Sequence, residues 1–187
     1  MKLSESYKKR IQELSGIKQA ENVGDLYLEQ DELNAILKGY LESALWTEEE
    51  RLKDDYDEHF GGYKEGGEED DEETEVDKLI RIQNDLSNKP FESFITDDLE
   101  DDSKIQAYLD IKTFLNLAGN QAISEALDTN DAFRLGMDIW LTRNGHGSGF
   151  FDHNYEFENE LMNAAKTLKG VDLYITDDAK IAFSNSH

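Results

Sequence analysis

Six residues able to do chemistry fall within the eleven positions from Arg143 to His153: Arg143, Asn144, His146, Ser148, Asp152 and His153, interleaved with Gly145, Gly147 and Gly149. Glycines let a backbone approach a ligand closely. One reading is therefore an anion site, in which backbone N–H groups, Arg143 and His146 receive a phosphate or nucleotide. The segment lacks the G-x-x-x-x-G-K-[ST] and G-x-G-x-x-G patterns that open a helix in phosphate-binding loops. A second reading gives His146, Asp152 and His153 to a metal ion, although zinc wants three ligands in tetrahedral array and adjacent Asp-His side chains rarely aim at one ion. A third is a hydrolase built from Ser148, His146 and Asp152, without the nucleophile elbow that exposes such a serine. Plain turn chemistry competes with all three. Asn144-Gly145 suits a primed hairpin turn, Arg143 would pair with one of the many acids, and Trp140 and Phe150 would fill the core.

Negative charge is the other resource. The 187 residues hold 43 Asp and Glu against 19 Lys and Arg, a formal net of -24. From Glu48 to Asp77 there are 16 acids and three cations, so a net of -13 lies in 30 residues. The candidate acidic interaction surface comprises Glu48, Glu49, Asp54, Asp55, Asp57, Glu68, Glu69, Asp70, Asp71, Glu72 and Glu73 from that segment. Asp97, Asp98, Asp101 and Asp102, from the run TDDLEDD, join it. Such a surface repels nucleic acid and anionic lipid and attracts cations or basic proteins. Duplex DNA carries one charge per roughly 1.7 Å, so 24 charges correspond to about 40 Å of duplex, a length that a protein of this size can present. Calcium fits less well: an EF-hand counted from Asp57 puts Gly62 and Glu68 in place, but His59 and Gly61 stand where oxygen ligands are wanted.

The elements that must position these residues follow from periodicity. Leu33, Ile36, Leu37, Tyr40, Leu41, Ala44 and Leu45 form one helical stripe between about Asp31 and Trp46. Ile11, Leu14 and Ile17 suggest an earlier helix over residues 4–20, and Val76, Leu79, Ile80 and Ile82 a short one before Pro90. Ile105 to Leu117 predicts another helix, with Asp102 or Ser103 as N-cap and Gly119 as C-cap, followed by a shorter one over 121–127. Met137 to Arg143 alternates like a strand. Residues 158–168 read as a helix, and Val171 to Ile175 with Lys180 to Phe183 as a hairpin.

The expected fold is α+β: N-terminal helices on a small antiparallel C-terminal sheet, with a disordered acidic loop. As a single domain over 1–187 it divides into helical 1–47, an acidic flexible insert 48–78, helical 79–130 and a β-loop-α-β-β region 131–187. The absence of cysteine removes disulfides, thiol nucleophiles and Cys-ligated metals. The start MKLSESYKKR has no apolar run behind its basic residues, and no stretch is apolar enough to span a membrane, so a cytoplasmic protein is expected.

The block Trp140 to His153, WLTRNGHGSGFFDH, resembles a family of small, uncharacterised bacteriophage-encoded proteins, in which W-L-T-R-N is followed by a Gly/His loop, G-F, a further aromatic and Asp. Ala164-Ala165 and the run Asp172 to Asp178 match the helix and the D-L-Y-(I/V)-x-D-D strand of that family. Ala44 to Thr47 and Phe114-Leu115 fit as well, so the likeness covers roughly residues 40–182. The resemblance implies a phage context, with the host cytoplasm as location, and no assigned chemistry. The insert after Trp46 is longer and more acidic here. Together with the charge, this leads to the expectation of a non-enzymatic phage protein that binds and inhibits a basic host DNA-binding protein or defence nuclease by presenting a DNA-like negative surface. It needs no cofactor, and self-association is compatible with it. The alternative is a small nucleotide-, phosphate- or metal-binding protein that uses the Gly/His loop.

Overall fold

The structure, a computed structural model, describes residues 28–60 and 96–184. The described elements are α1 (Gln30–Phe60), a 3-10 turn (Thr96–Asp98), α2 (Asp101–Ala118), α3 (Asn120–Thr129), α4 (Ala132–Asn144), a 3-10 turn (Phe150–Asp152), α5 (Glu158–Thr167), β1 (Leu173–Ile175) and β2 (Ile181–Phe183). The fold is α+β, with five α-helices and one antiparallel pair among the described residues, in which Leu173 faces Phe183 and Ile175 faces Ile181. The expected helices over 4–20 and 76–82, the run Glu68 to Glu73 and most of the EF-hand count lie outside the described residues. Asp57, where that count starts, falls in the last turns of α1.

Helix α1 is the spine of the molecule. Its stripe buries Ile36, Leu37, Tyr40, Leu41, Ala44 and Leu45, as the spacing predicts. The helix does not stop at Trp46, and residues 48–60 are helical rather than part of a flexible insert. The reason is that the apolar stripe continues: Leu52 is fully buried and Tyr56 packs on the core. Arg51 also bridges Glu48 at 2.9 Å and Asp55 at 3.0 Å, pairs spaced to support a helix.

The second correction concerns Met137 to Arg143. This stretch is not a strand but the middle of α4. Alternation of apolar and polar types suggested a half-buried strand, yet Asp138, Thr142 and Arg143 are themselves buried with Leu135, Ile139, Trp140 and Leu141. A helix enclosed on nearly all sides loses the amphipathic signature, and here its polar residues mark internal partners instead of water. The expected primed turn at Asn144-Gly145 is accordingly a helix end: Gly145 takes φ 70° and its N–H donates to the Leu141 carbonyl.

Helices α1 and α4 run side by side in the same direction, as the pairs Ile36 with Gly136, Thr47 with Trp140 and Glu48 with His146 advance together. Their backbones touch. A Cβ on Gly39 would lie 2.0 Å from the Phe133 carbonyl oxygen, and one on Gly136 2.0 Å from that of Ile36. This approach buries Trp140 against Tyr40, edge to face at 5.2 Å, while Phe114 stacks on Phe150 at 5.7 Å. The Trp140 indole N–H is satisfied by Thr47 Oγ1 at 2.9 Å.

At the start of α2 the N-cap is Glu100, without a side-chain bond, rather than Asp102 or Ser103. Ser103 is buried, and its hydroxyl accepts the Phe183 N–H at 2.9 Å, which ties α2 to the hairpin. Gly119 does end α2, with its N–H on the Leu115 carbonyl.

Candidate functional site

The six residues of the Gly/His loop do not converge on one point. Arg143 and His153 lie on two sides of α4, in two arrangements of Tyr, Asp and a nitrogen-bearing side chain. Asp138 and Arg143 stand five residues apart and so point to different faces of the helix.

On one face, Arg143 is buried with Tyr40 and Asp110. Its Nη1 donates to Asp110 Oδ2 at 2.5 Å and also meets the Tyr40 hydroxyl, which itself donates to Oδ2 at 3.3 Å. The remaining donors go to the Lys169 and Leu168 carbonyls, at 2.8 and 3.1 Å, beyond the end of α5. Every nitrogen of the guanidinium is engaged, so the group locks α1, α2, α4 and the end of α5 together. Burial pushes the Tyr40 phenol far above its ordinary value, with the Arg143 charge opposing that rise. Asn144 is also structural: its Oδ1 accepts the Val171 N–H at 2.8 Å and its Nδ2 donates to the Trp140 carbonyl.

On the other face, Asp138 is fully buried and its Oδ2 accepts the Tyr155 hydroxyl at 2.8 Å. His153 Nδ1 lies 3.2 Å from the same oxygen, with 29% of the side chain exposed. Asp138 Oδ1 has no hydrogen-bond partner among the described residues. Burial pushes the Asp138 carboxyl up, against the opposing effects of the Tyr155 hydrogen bond and the His153 and Arg134 charges. Burial and the Asp138 charge also push the Tyr155 phenol up.

The loop that carries His153 is pinned. Gly149 has φ 136°, and a Cβ there would lie 2.3 Å from Thr142 Oγ1. That hydroxyl accepts the Phe150 N–H at 3.1 Å, and Asp152 accepts the Gly149 N–H at 3.2 Å. His146 faces elsewhere: its Nε2 is 3.8 Å from Glu48 Oε1, and its ring stacks on Trp140 at 6.4 Å. Among the described residues, no group of three or more His, Asp or Glu side chains is gathered so as to hold a metal. Asp138, Tyr155 and Asp110 were not singled out by the sequence reading, which placed Tyr40 only in the apolar stripe of α1. A sign of Asp138 was its place between Met137 and Ile139, a lone acid inside an apolar run.

The acids gather around the hairpin. Glu100 N–H donates to the Ile181 carbonyl at 2.8 Å, Leu99 bridges to Ile181, and Lys180 Nζ reaches the Asp97 carbonyl at 3.3 Å. The acids of 97–102 therefore flank β2, beside exposed Asp177 and Asp178 in the hairpin turn. Arg51 Nη2 donates to the Leu173 carbonyl at 2.6 Å, which sets the acid-rich half of α1 against β1. The turn Thr96–Asp98 packs on α1 as well. Of these acids, Glu48 and Asp55 are engaged by Arg51 and Asp101 by Lys104, at 3.6 Å.

Compared with known proteins, the chain matches no family model, no curated protein and no solved structure. No described helix is long and apolar enough to cross a membrane.

Proposed function

We propose that the protein binds a basic, nucleic-acid-binding protein or nuclease of a phage host by offering a DNA-like negative surface. The observation that carries this reading is the meeting of three acidic runs, distant in sequence, around one hairpin. Residues 48–58, 97–104 and 177–180 together have a net charge of -10. The helical run 48–58 is about 16 Å long at 1.5 Å per residue. A duplex of that length carries about nine phosphates, so the charge is of the order that a DNA-binding groove accepts.

Trp46 adds an anchor. It is 65% exposed on α1, with Glu42, Glu49 and Glu50 one helical turn away. An aromatic ring among carboxylates suits a Lys or Arg that stacks on the ring while it meets the acids. The phosphate-binding alternative has less support, because Arg143, its cation, is buried and fully engaged.

The immobilised full chain should capture a basic DNA-binding protein from host lysate at low salt, release it as salt rises and lose it to added duplex DNA. Changing Asp97, Asp98, Asp101, Asp102, Asp177 and Asp178 to Asn should cut capture about tenfold or more, taking at least 1.4 kcal/mol from the loss of six charges. Full capture by that variant, or capture indifferent to both salt and DNA, contradicts the proposal.

A further inference from the structure

His153 has one ring nitrogen held and the other free. Nδ1 lies 3.2 Å from Asp138 Oδ2 and 3.2 Å from the Gly149 carbonyl oxygen. A carbonyl oxygen can only accept, and Oδ2 already accepts from Tyr155, so the nitrogen that faces both carries the proton. The lone pair of the neutral ring is then on Nε2. Nε2 has no hydrogen-bond partner among the described residues, and the side chain is partly open to solvent. The holders are rigid: Asp138 sits buried within α4, and Gly149 is pinned against Thr142.

A buried carboxylate that orients a partly exposed imidazole is an arrangement suited to proton abstraction and to nucleophilic attack. The surrounding charge narrows the substrate. Asp152 bears on Asp138, and Asp138 and Glu125 bear on Tyr155, against the single Arg134 guanidinium, so anions outnumber cations there. An anionic phosphoryl donor would meet net repulsion, whereas a neutral ester would not.

We propose that His153 is a catalytic nucleophile whose Nε2 accepts acyl groups from neutral, activated esters, with Asp138 as its positioning residue. Nε2 attacks the ester carbonyl carbon, a C–N bond forms, and the leaving oxygen departs with the electron pair of the broken C–O bond. The Nδ1 proton stays between Asp138 and the Gly149 carbonyl while the ring is a cationic acylimidazole. Water then adds to the acyl carbon and gives its protons to solvent. The C–N bond breaks with its electron pair returning to Nε2, and the carboxylate leaves. This site is independent of the acidic hairpin surface.

The probe is p-nitrophenyl acetate with the full chain. His153→Gln should lower p-nitrophenolate release about tenfold or more, against the roughly hundredfold that a positioned acid or base contributes at the low end. His146→Gln should stay within about twofold of wild type, since its carboxylate neighbour, Glu48, lies 3.8 Å away and is not fully buried. A His153→Gln rate within twofold of wild type overturns the proposal. Nitrogen NMR of the wild-type protein tests the positioning without any variant: the neutral His153 ring should carry its proton on Nδ1. A proton on Nε2 overturns it, and Asp138→Asn should move the proton toward Nε2, an effect that a merely structural role for Asp138 would not produce.

Discussion

The faces of α4 and the rim of the hairpin use the same residue types to opposite ends. Around α4 each carboxylate has work inside the fold: Asp110 holds Arg143, Asp138 holds Tyr155 and His153, Asp131 caps the helix by accepting the Arg134 N–H, and Asp152 closes the turn before His153. Around the hairpin the acids exceed the cations and several face water, with Asp97, Asp101, Asp102, Asp177 and Asp178 exposed. Among the described residues the acids thus form two populations. One is engaged inside the fold, and the other lies at the surface around the hairpin.

The comparison is broken most severely at the helix crossing that builds the first region. Gly39→Ala or Gly136→Ala drives a methyl into a backbone carbonyl, which no rotamer can relieve. Each should cost more than about 3 kcal/mol, read as lost cooperative unfolding or an insoluble product. Next is Arg143→Ala, which strands Asp110 and the Leu168 and Lys169 carbonyls without their donor. Chemical denaturation should show a loss of about 3 to 5 kcal/mol, as for one partner removed from a buried ion pair.

Asp138→Asn sharpens the contrast between the two sides of α4. The folded carboxyl is raised by burial, so between its ordinary value of 3.8 and its folded value the native state holds the proton more firmly than the unfolded chain does. Its contribution to stability is present in acid and is lost as pH rises through the folded value. Relative to wild type, the Asn variant should therefore gain stability as pH rises from the ordinary value of 3.8 through the folded value in denaturation series. An Asn variant that loses stability relative to wild type as pH rises would contradict the burial argument. At the rim, single Asp→Asn changes at 97, 102, 177 or 178 should shift stability by less than about 0.5 kcal/mol each, because exposed charges contribute little.

How much of this was legible depends on whether a residue's partners are near in sequence. The stripe from Leu33 to Leu45, the Gly119 stop and the 171–183 hairpin follow from local spacing, and all are present. The extension of α1 to Phe60 was written in Leu45, Leu52 and Tyr56, but the acids between them masked it. Helix α4 was misread because its polar residues find partners 33 and 103 residues away, at Asp110 and Tyr40. No local pattern records such pairs. His153 was visible as a residue type, while the carboxylate that orients it was hidden inside what looked like a strand.

Whether the rim charge is available to a partner is measured most directly by the salt dependence of binding. With the captured basic protein as titrant, log K should fall linearly with log salt for the wild-type chain. The Asn variant at 97, 98, 101, 102, 177 and 178 should show a clearly shallower slope with its fold intact. An equal slope in both proteins would place the binding elsewhere and contradict the account.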